Sequence, residues 1–141
     1  MNMNRDFWKC PKCGREFSKK NQWHSCVLFS VEDHFKNKAQ KLKKIFDFVQ
    51  REIKKFGEIR IDAVKTSINF GGKSHFCVIF VLKNYLKLEF VLNKRIKNSR
   101  IIRVRGPTNK LFTYTIRLEK LEDVDEILIN WLRESYNMRN L

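Results

Sequence analysis

Alternation of apolar and polar residues between positions 59 and 118 limits the fold of this chain more than any other feature of its sequence. In the clearest segment, every second residue from Leu86 to Leu92 is apolar. Successive side chains of a β-strand point to opposite faces, so this period predicts a strand that is buried on one side only. Several such segments require a sheet with one face covered by other apolar groups.

Turn-forming residues divide this region into separate strands. Gly71-Gly72 and Lys83-Asn84 fall between apolar runs, as expected for hairpin turns. Residues 75–82 are almost continuously apolar, which is typical of a strand in the middle of a sheet. The sequence predicts four or five antiparallel strands, drawn from segments 59–63, 68–70, 75–82, 85–92, 101–105 and 111–118.

Helical periodicity precedes and follows the strands. From about residue 38 to residue 56, apolar residues recur three or four positions apart, which predicts an amphipathic helix that ends at Gly57. Ser30 is predicted to cap a short helix before it, and a C-terminal helix is expected to open at Asp123, with Glu126 completing a capping box. The predicted fold class is α+β: one antiparallel sheet with a long helix before it and a helix after it, packed on one face.

Cysteine spacing near the N-terminus predicts a metal site. Two residues separate Cys10 from Cys13, which lets both thiolates bind one tetrahedral ion from a tight turn, and Gly14 can supply the positive φ of that turn. Cys26 follows after a twelve-residue spacer, the register of the third ligand in a finger. We therefore expect a zinc knuckle or finger-like element in residues 1–35, followed by an α+β domain in residues 36–141.

The fourth zinc ligand is predicted to be either His34 or His24. His34 lies beyond Cys26 after a spacer of seven residues, longer than the usual three to five, whereas His24 and Cys26 share a face only in an extended segment. A disulfide is disfavoured because residues 1–6 are polar, unlike a signal peptide, and because Cys77 would be left as an odd partner. Cys77 lies in an apolar strand and is expected to be buried. A catalytic zinc is disfavoured because no Glu adjoins a candidate ligand.

Basic residues outnumber acidic residues by 30 to 15, which gives a formal net charge of +15. Such a chain attracts polyanions. The excess is uneven, because residues 94–117 contain basic residues and no acid. Arginine binds phosphate through two parallel donors, so this segment is a predicted nucleic-acid contact; the alternative is a solvated basic surface. The predicted contact residues are Arg100, Arg103 and Arg105, with Lys19 and Lys20 beside the knuckle.

Two sets of residues carry a resemblance to a known family. They are Trp8-x-Cys10-Pro-x-Cys13-Gly-Arg15 and Gln22-x-His24-Ser-Cys26 in the first set, and Asp33-His34-Phe35, Lys65-Thr66, Leu86-x-Leu88-x-Phe90-x-Leu92 and Trp131-Leu132-x-x-x-Tyr136 in the second. On these motifs the chain resembles, over nearly its whole length, the uncharacterised bacterial domain-of-unknown-function family 5655. The resemblance implies a zinc knuckle joined to a small α+β domain, and relatives that carry a nuclease-like domain imply an accessory role. It implies no activity.

A looser similarity of layout links the chain to a small α+β family that includes frataxin-type iron chaperones. Iron handling in that family relies on an acidic ridge. The acid-rich segment of this chain, residues 119–126, coincides with a predicted helix start, where the helix dipole already favours acids. Iron carriage is therefore less favoured than nucleic-acid binding.

Two classes of function are compatible with these features. The first is a cytoplasmic, zinc-binding nucleic-acid-binding or accessory module; the second is a domain that binds a small ligand or a protein partner beside a structural zinc. The surface expected for the second class comprises Lys65, Thr66, His75, Tyr85 and Tyr114. We expect no enzyme, because the sequence contains no phosphate-binding loop, nucleophile elbow or paired carboxylates. No apolar run is long enough to span a membrane, and the sequence does not indicate an oligomeric state.

Overall fold

A computed structural model describes residues 7–11, 14–22 and 29–140. In chain order the elements are β1 (Trp8–Lys9), β2 (Glu16–Phe17), α1 (Val31–Phe35), α2 (Gln40–Lys54), β3 (Arg60–Ala63), β4 (Ile68–Gly71), β5 (His75–Val81), β6 (Leu86–Leu92), β7 (Ile101–Thr108), β8 (Leu111–Leu118), a 3-10 turn (Leu121–Asp123) and α3 (Glu126–Asn140). β1 and β2 form a small hairpin, and the other strands form an antiparallel sheet in the order β3-β4-β5-β6-β8-β7. The predicted α+β class is confirmed.

The sheet has six strands in the described residues, so the prediction of four or five was wrong. The strand that makes the difference is β7, which pairs with β8 at the edge of the sheet. Its register shifts twice, between Ile101 and Arg103 and between Arg105 and Thr108, and nearly all of its residues are exposed. Irregular pairing and exposure remove the alternation of apolar residues by which strands are recognised in a sequence.

Both long helices cover the same face of the six-stranded sheet. Phe46 of α2 packs on Phe70 of β4 with 5.7 Å between ring centroids, and Trp131 of α3 stacks on Phe90 of β6 at 5.6 Å. The predicted alternation in β6 is confirmed, because its residues are buried and partly buried in turn. Cys77 of β5 is buried in this core, as expected, and burial raises the pKa of its thiol.

The first long helix is shorter than predicted and ends against the second. α2 begins after Ala39, whose backbone is extended, and the chain leaves the helix at Lys55. At Gly57 a Cβ atom would lie 2.5 Å from the hydroxyl oxygen of Tyr136 on α3, so glycine permits the close approach of that side chain.

In the described part of the chain, no helix is long and apolar enough to cross a membrane.

The start of α3 corrects the predicted cap. Asp125, and not Asp123, caps the helix: its Oδ1 accepts a hydrogen bond of 2.9 Å from the Leu128 amide. The carboxylate of Asp123 instead accepts bonds from the backbone amides of Glu119 and Lys120, before the 3-10 turn. The acids of this segment therefore organise a helix start, whereas the expected cap at Ser30 is confirmed by a capping box with Asp33.

A buried serine of α3 repairs a gap between two central strands. The register of β5 shifts opposite Phe70 and Gly71, which leaves Phe76 as an extra residue in the ladder. The hydroxyl of Ser135 donates to the Phe76 carbonyl at 3.2 Å and accepts from the Val91 amide at 3.3 Å. These two bonds link β5 to β6 just beyond Cys77 and Phe90, where the pairing of the two strands ends.

Candidate functional site: the N-terminal hairpin and the uncovered sheet face

The hairpin of β1 and β2 contains the first of the predicted zinc ligands. Two backbone hydrogen bonds of Cys10 close the tight turn that follows it. The Cys10 amide donates to the Arg15 carbonyl, and the Cys10 carbonyl accepts from the Gly14 amide, each at 2.8 Å. Gly14 has the predicted positive φ, +77°. Cys10 is buried beside Phe17 and Trp8. This local geometry agrees with the turn that the cysteine spacing predicts.

The other candidate ligands divide between described and undescribed residues. Cys13, His24 and Cys26 lie outside the described ranges, whereas Cys10 and His34 lie within them. Within those ranges no group of three or more His, Cys, Asp or Glu residues could hold a metal ion. Because only two of the candidate ligands belong to that part of the chain, the zinc site stays a prediction.

His34 links α1 to the end of β3. Its Nε2 lies 2.7 Å from the carbonyl oxygen of Val64, and since a carbonyl only accepts, Nε2 is the donor. The neutral ring then presents the lone pair of Nδ1, the arrangement usual for a histidine that binds a metal. The same bond also fixes α1 without any metal. His34 lines a polar cavity of about 440 Å³ with Phe29, Lys36 and Lys65.

The hairpin contacts the face of the sheet that no described helix covers. Arg60 on β3 donates to the Glu16 carbonyl at 3.3 Å, and its guanidinium lies over the Phe7 ring at 5.6 Å. Arg60 and its neighbour Asp62 are buried in this contact, with 3.6 Å between Nε and Oδ2. The Nε2 of His75 donates to the same Asp62 carboxylate at 2.8 Å. His75 thus belongs to a charged cluster at the hairpin edge of the sheet.

The register of the strands defines the rest of this uncovered face. Cross-strand partners share a face, so one row of the uncovered side runs Asp62, Asn69, Val78, Glu89, Thr115 and Arg103. Neighbouring rows contain Phe80, Lys87 and Arg117, and Val91, Thr113 and Arg105. α2 and its exposed lysines lie on the opposite side of the sheet, so they do not share a surface with the cations of this face.

The predicted nucleic-acid residues have different environments. Arg100 is engaged internally: its guanidinium bonds both carboxylate oxygens of Asp125, at 2.9 and 3.0 Å, and the backbone carbonyl of Asp123. Arg105 pairs with Glu89 at 3.0 Å. Arg103 is exposed and has no ion-pair partner among the described residues. Lys19 and Lys20 are exposed after β2.

The Arg100–Asp125 pair ties the start of β7 to the cap of α3. Partial burial alone would raise the pKa of Asp125, but the bond from the Leu128 amide and the Arg100 guanidinium together hold that pKa below its ordinary value. The ionised carboxylate is therefore favoured in the folded protein. Arg100 therefore holds the start of β7 against the cap of α3. Although it belongs to a basic segment, its guanidinium is bonded within the protein.

Two further cations on the uncovered face were missed from the sequence. Lys87 of β6 and Arg117 of β8 are direct cross-strand partners. The Lys87 ammonium lies 4.4 Å from the centroid of the Phe80 ring, and the Arg117 guanidinium lies 4.4 Å from that of Tyr85. Alternation could have placed Lys87 on the polar face of its strand. The pairing with Arg117 depends on register, which the sequence does not specify.

The residues expected to form a ligand or partner surface do not meet. Tyr114 is buried on the helix-covered face, where its hydroxyl donates to the Lys94 carbonyl at 2.8 Å and accepts from the Ile96 amide at 3.0 Å. Tyr85 lies on the opposite face, with the ring contact to Arg117. Lys65 and Thr66 are exposed in the turn between β3 and β4. This combination is wrong as a single site.

Comparison with known proteins identifies a family. The family model described as "Domain of unknown function (DUF5655)" matches residues 31–139. That range covers α1 through nearly all of α3, and it begins after the N-terminal hairpin. The expected resemblance is thus confirmed for residues 31–139, whereas the motifs from Trp8 to Cys26 lie outside the match and stay a prediction. No curated protein and no solved structure matches the chain.

Proposed function

Because the chain belongs to the family DUF5655, a family of domains of unknown function, we propose its function from the surface itself. The protein is a nucleic-acid-binding protein, and the uncovered face of its sheet is the contact surface. The zinc-stabilised N-terminal hairpin borders that surface at β3. The face carries an excess of positive charge, which attracts the negatively charged backbone of nucleic acid.

One observation carries the proposal: cations on the uncovered face exceed the acids that neutralise them. Glu89 accepts from Arg105 and from the Thr115 hydroxyl, both at 3.0 Å, so its charge is already balanced by that of Arg105. Lys87 and Arg103 have no carboxylate partner among the described residues, and Arg117 reaches Glu119 only at 4.0 Å. A phosphate backbone would compensate these three charges.

A titration with charge-matched variants tests the proposal. The test variant is Lys87→Gln/Arg103→Gln/Arg117→Gln, and the control is Lys41→Gln/Lys44→Gln/Lys54→Gln, which removes the same charge from exposed positions of α2. Loss of three phosphate contacts should flatten the log–log dependence of affinity on salt by about 2 to 3, whereas the control should leave it nearly unchanged. Equal effects of both variants would indicate attraction to net charge and would reject the sheet face.

The proposed zinc site uses Cys10, Cys13 and Cys26 with one histidine. The turn at Cys10 and Gly14 supports the cysteine pair, and the Val64 bond supports His34 over His24, because it orients the ring and leaves Nδ1 to bind. Elemental analysis should find about one zinc per chain. His34→Gln should lower that content while His24→Gln does not. Full zinc content in both variants, or none in the wild type, would contradict the assignment.

Addition of a chelator tests whether the N-terminal hairpin folds independently of the six-stranded sheet. Since the core of the six-stranded sheet is built from residues 42 to 136, we expect a strong chelator to disorder the hairpin and leave the sheet folded. Circular dichroism should retain the signals of helix and sheet. Complete unfolding on chelation would show that the hairpin is part of the core.

Binding of a protein partner is the second candidate function, and the edge strand β7 favours it. Ile102 and Val104 are exposed by 52% and 46%, and Val104 and Ile101 line a groove of about 490 Å³ with Ile96. Exposed apolar residues on an edge strand are typical of interaction surfaces. Light scattering of wild-type protein and of Ile102→Lys tests association through this edge. A monomer in both cases would reject self-association there.

A further inference from the structure

We infer that Phe80, Tyr85, Lys87 and Arg117 form a binding site for single-stranded nucleic acid. This inference rests on the proposed nucleic-acid binding and specifies the form of the ligand. The residues adjoin one another: Lys87 is the cross-strand partner of Phe80 on one side and of Arg117 on the other. Tyr85 precedes Lys87 by two positions, and therefore shares its face.

The two cations of this cluster form a like-charge pair. Side chains directly opposite each other on neighbouring strands interact, and like charges in that position destabilise a sheet. Lys87 nevertheless lies opposite Arg117 in the sheet. Among the described residues, the one acid that contacts either cation is Glu119, at 4.0 Å from Arg117. A phosphate between the two side chains would convert this repulsion into two attractions.

The two rings give the cluster its preference for bases. Phe80 and Tyr85 are partly exposed, and each carries a cation at 4.4 Å from its centroid. A base can stack on a guanidinium that is itself held flat on a ring, as for Arg117 on Tyr85. It can also stack on Phe80 when the flexible lysine stem swings toward a phosphate. Rings and cations that alternate in this way suit successive bases and phosphates of one strand.

The shape of the surface favours a single strand over a duplex. The bases of a duplex are stacked inside it, where rings on a sheet face cannot reach them. The major groove of a DNA duplex admits a projecting helix or a two-stranded ribbon, not a broad sheet face. Five inter-strand spacings separate β3 from β7, which gives a face about 24 Å wide. That width suits the smaller single-strand sites, of about four nucleotides. Phosphate and base contacts do not involve the sugar, so DNA and RNA should bind alike.

Anisotropy titrations of labelled oligonucleotides test the inference. The probes are oligo(dT) and oligo(U) of about 12 nucleotides and a DNA duplex of the same length. Wild-type protein should bind both single strands about tenfold or more tightly than the duplex. Lys87→Gln/Arg117→Gln should lower the salt slope for single strands by about 1.4, whereas Lys41→Gln/Lys44→Gln should not.

Substitution of the ring separates stacking from charge. Phe80→Leu should weaken single-strand binding by about tenfold, and Phe80→Tyr, which keeps a ring, should retain it. Melting temperatures close to that of the wild type would show that the variants fold. Equal or tighter binding of the duplex, or equal binding by the leucine and tyrosine variants, would overturn this inference and leave the proposed function intact. Failure of wild-type protein to bind any probe at physiological salt would overturn both.

Discussion

On the helix-covered face of the sheet, side chains are apolar and packed on α2 and α3, whereas the uncovered face carries rings, threonines and more cations than acids. The chain is strongly basic on both sides of this sheet, since exposed lysines also line α2. Among the strands that the structure describes, cross-strand pairing brings cations together only on the uncovered face, at Lys87 and Arg117. The comparison shows that the strand and the face on which a cation lies, and not its place in the sequence, determine whether it can form a common binding surface with other cations.

The largest expected effect is on the covered face, where substitution should damage the fold. Phe46 is fully buried and packs on Phe35 and Phe70. Phe46→Ala should lower the free energy of unfolding by about 3–5 kcal/mol, because it removes apolar contacts and leaves a cavity. Denaturant unfolding measures this loss. A loss below about 1 kcal/mol would mean that the covered face is not the core.

A smaller effect is expected at the Arg100–Asp125 pair, which joins the start of β7 to the cap of α3. Arg100→Gln should destabilise the protein by about 1 kcal/mol, because the pair with Asp125 is partly exposed and screened. The pKa of Asp125 is lowered in the folded state, so its contribution is present above the ordinary pKa of Asp, about 3.9, and is lost as pH falls through the lowered value. The difference between wild type and variant should therefore shrink in acid. A difference that grows below pH of about 4 would contradict this sign.

The smallest effect on stability is expected at the proposed ligand site. Lys87→Gln/Arg117→Gln removes a like-charge pair, so the free energy of unfolding should stay unchanged or rise by up to about 1 kcal/mol. Binding of nucleic acid should nevertheless fall, which separates function from stability. Thermal unfolding of wild type and variant at low salt makes the comparison. A clear loss of stability would show that the two cations support the sheet instead of a ligand.

The sequence predicted those parts of the fold whose pattern is local. Alternation in β6 and the capping box at Ser30 depend on neighbouring residues, and both are confirmed. The edge strand β7 was underestimated because bulges and exposure break its pattern. The cap of α3 was placed two residues early, since Asp123 and Asp125 are both good caps and only packing distinguishes them.

The candidate site was less predictable because it depends on register. Arg100 and Arg103 look alike in the sequence, yet one is bound to Asp125 and the other is exposed. Lys87 is separated from Arg117 by a long segment of chain, and only pairing of β6 with β8 brings the two together. Composition correctly indicates an excess of positive charge; it does not indicate which cations form a common surface.

The central claim is that nucleic acid binds the uncovered sheet face, and amide chemical shifts of isotope-labelled protein titrated with oligo(dT) test it most directly. The account predicts that shift changes concentrate on β5, β6 and β8 around Phe80, Lys87 and Arg117, at a salt concentration near physiological. Amides of α2, which carry comparable charge on the other side, should change little. Shifts that concentrate on α2, or that spread evenly over all basic segments, would contradict the claim.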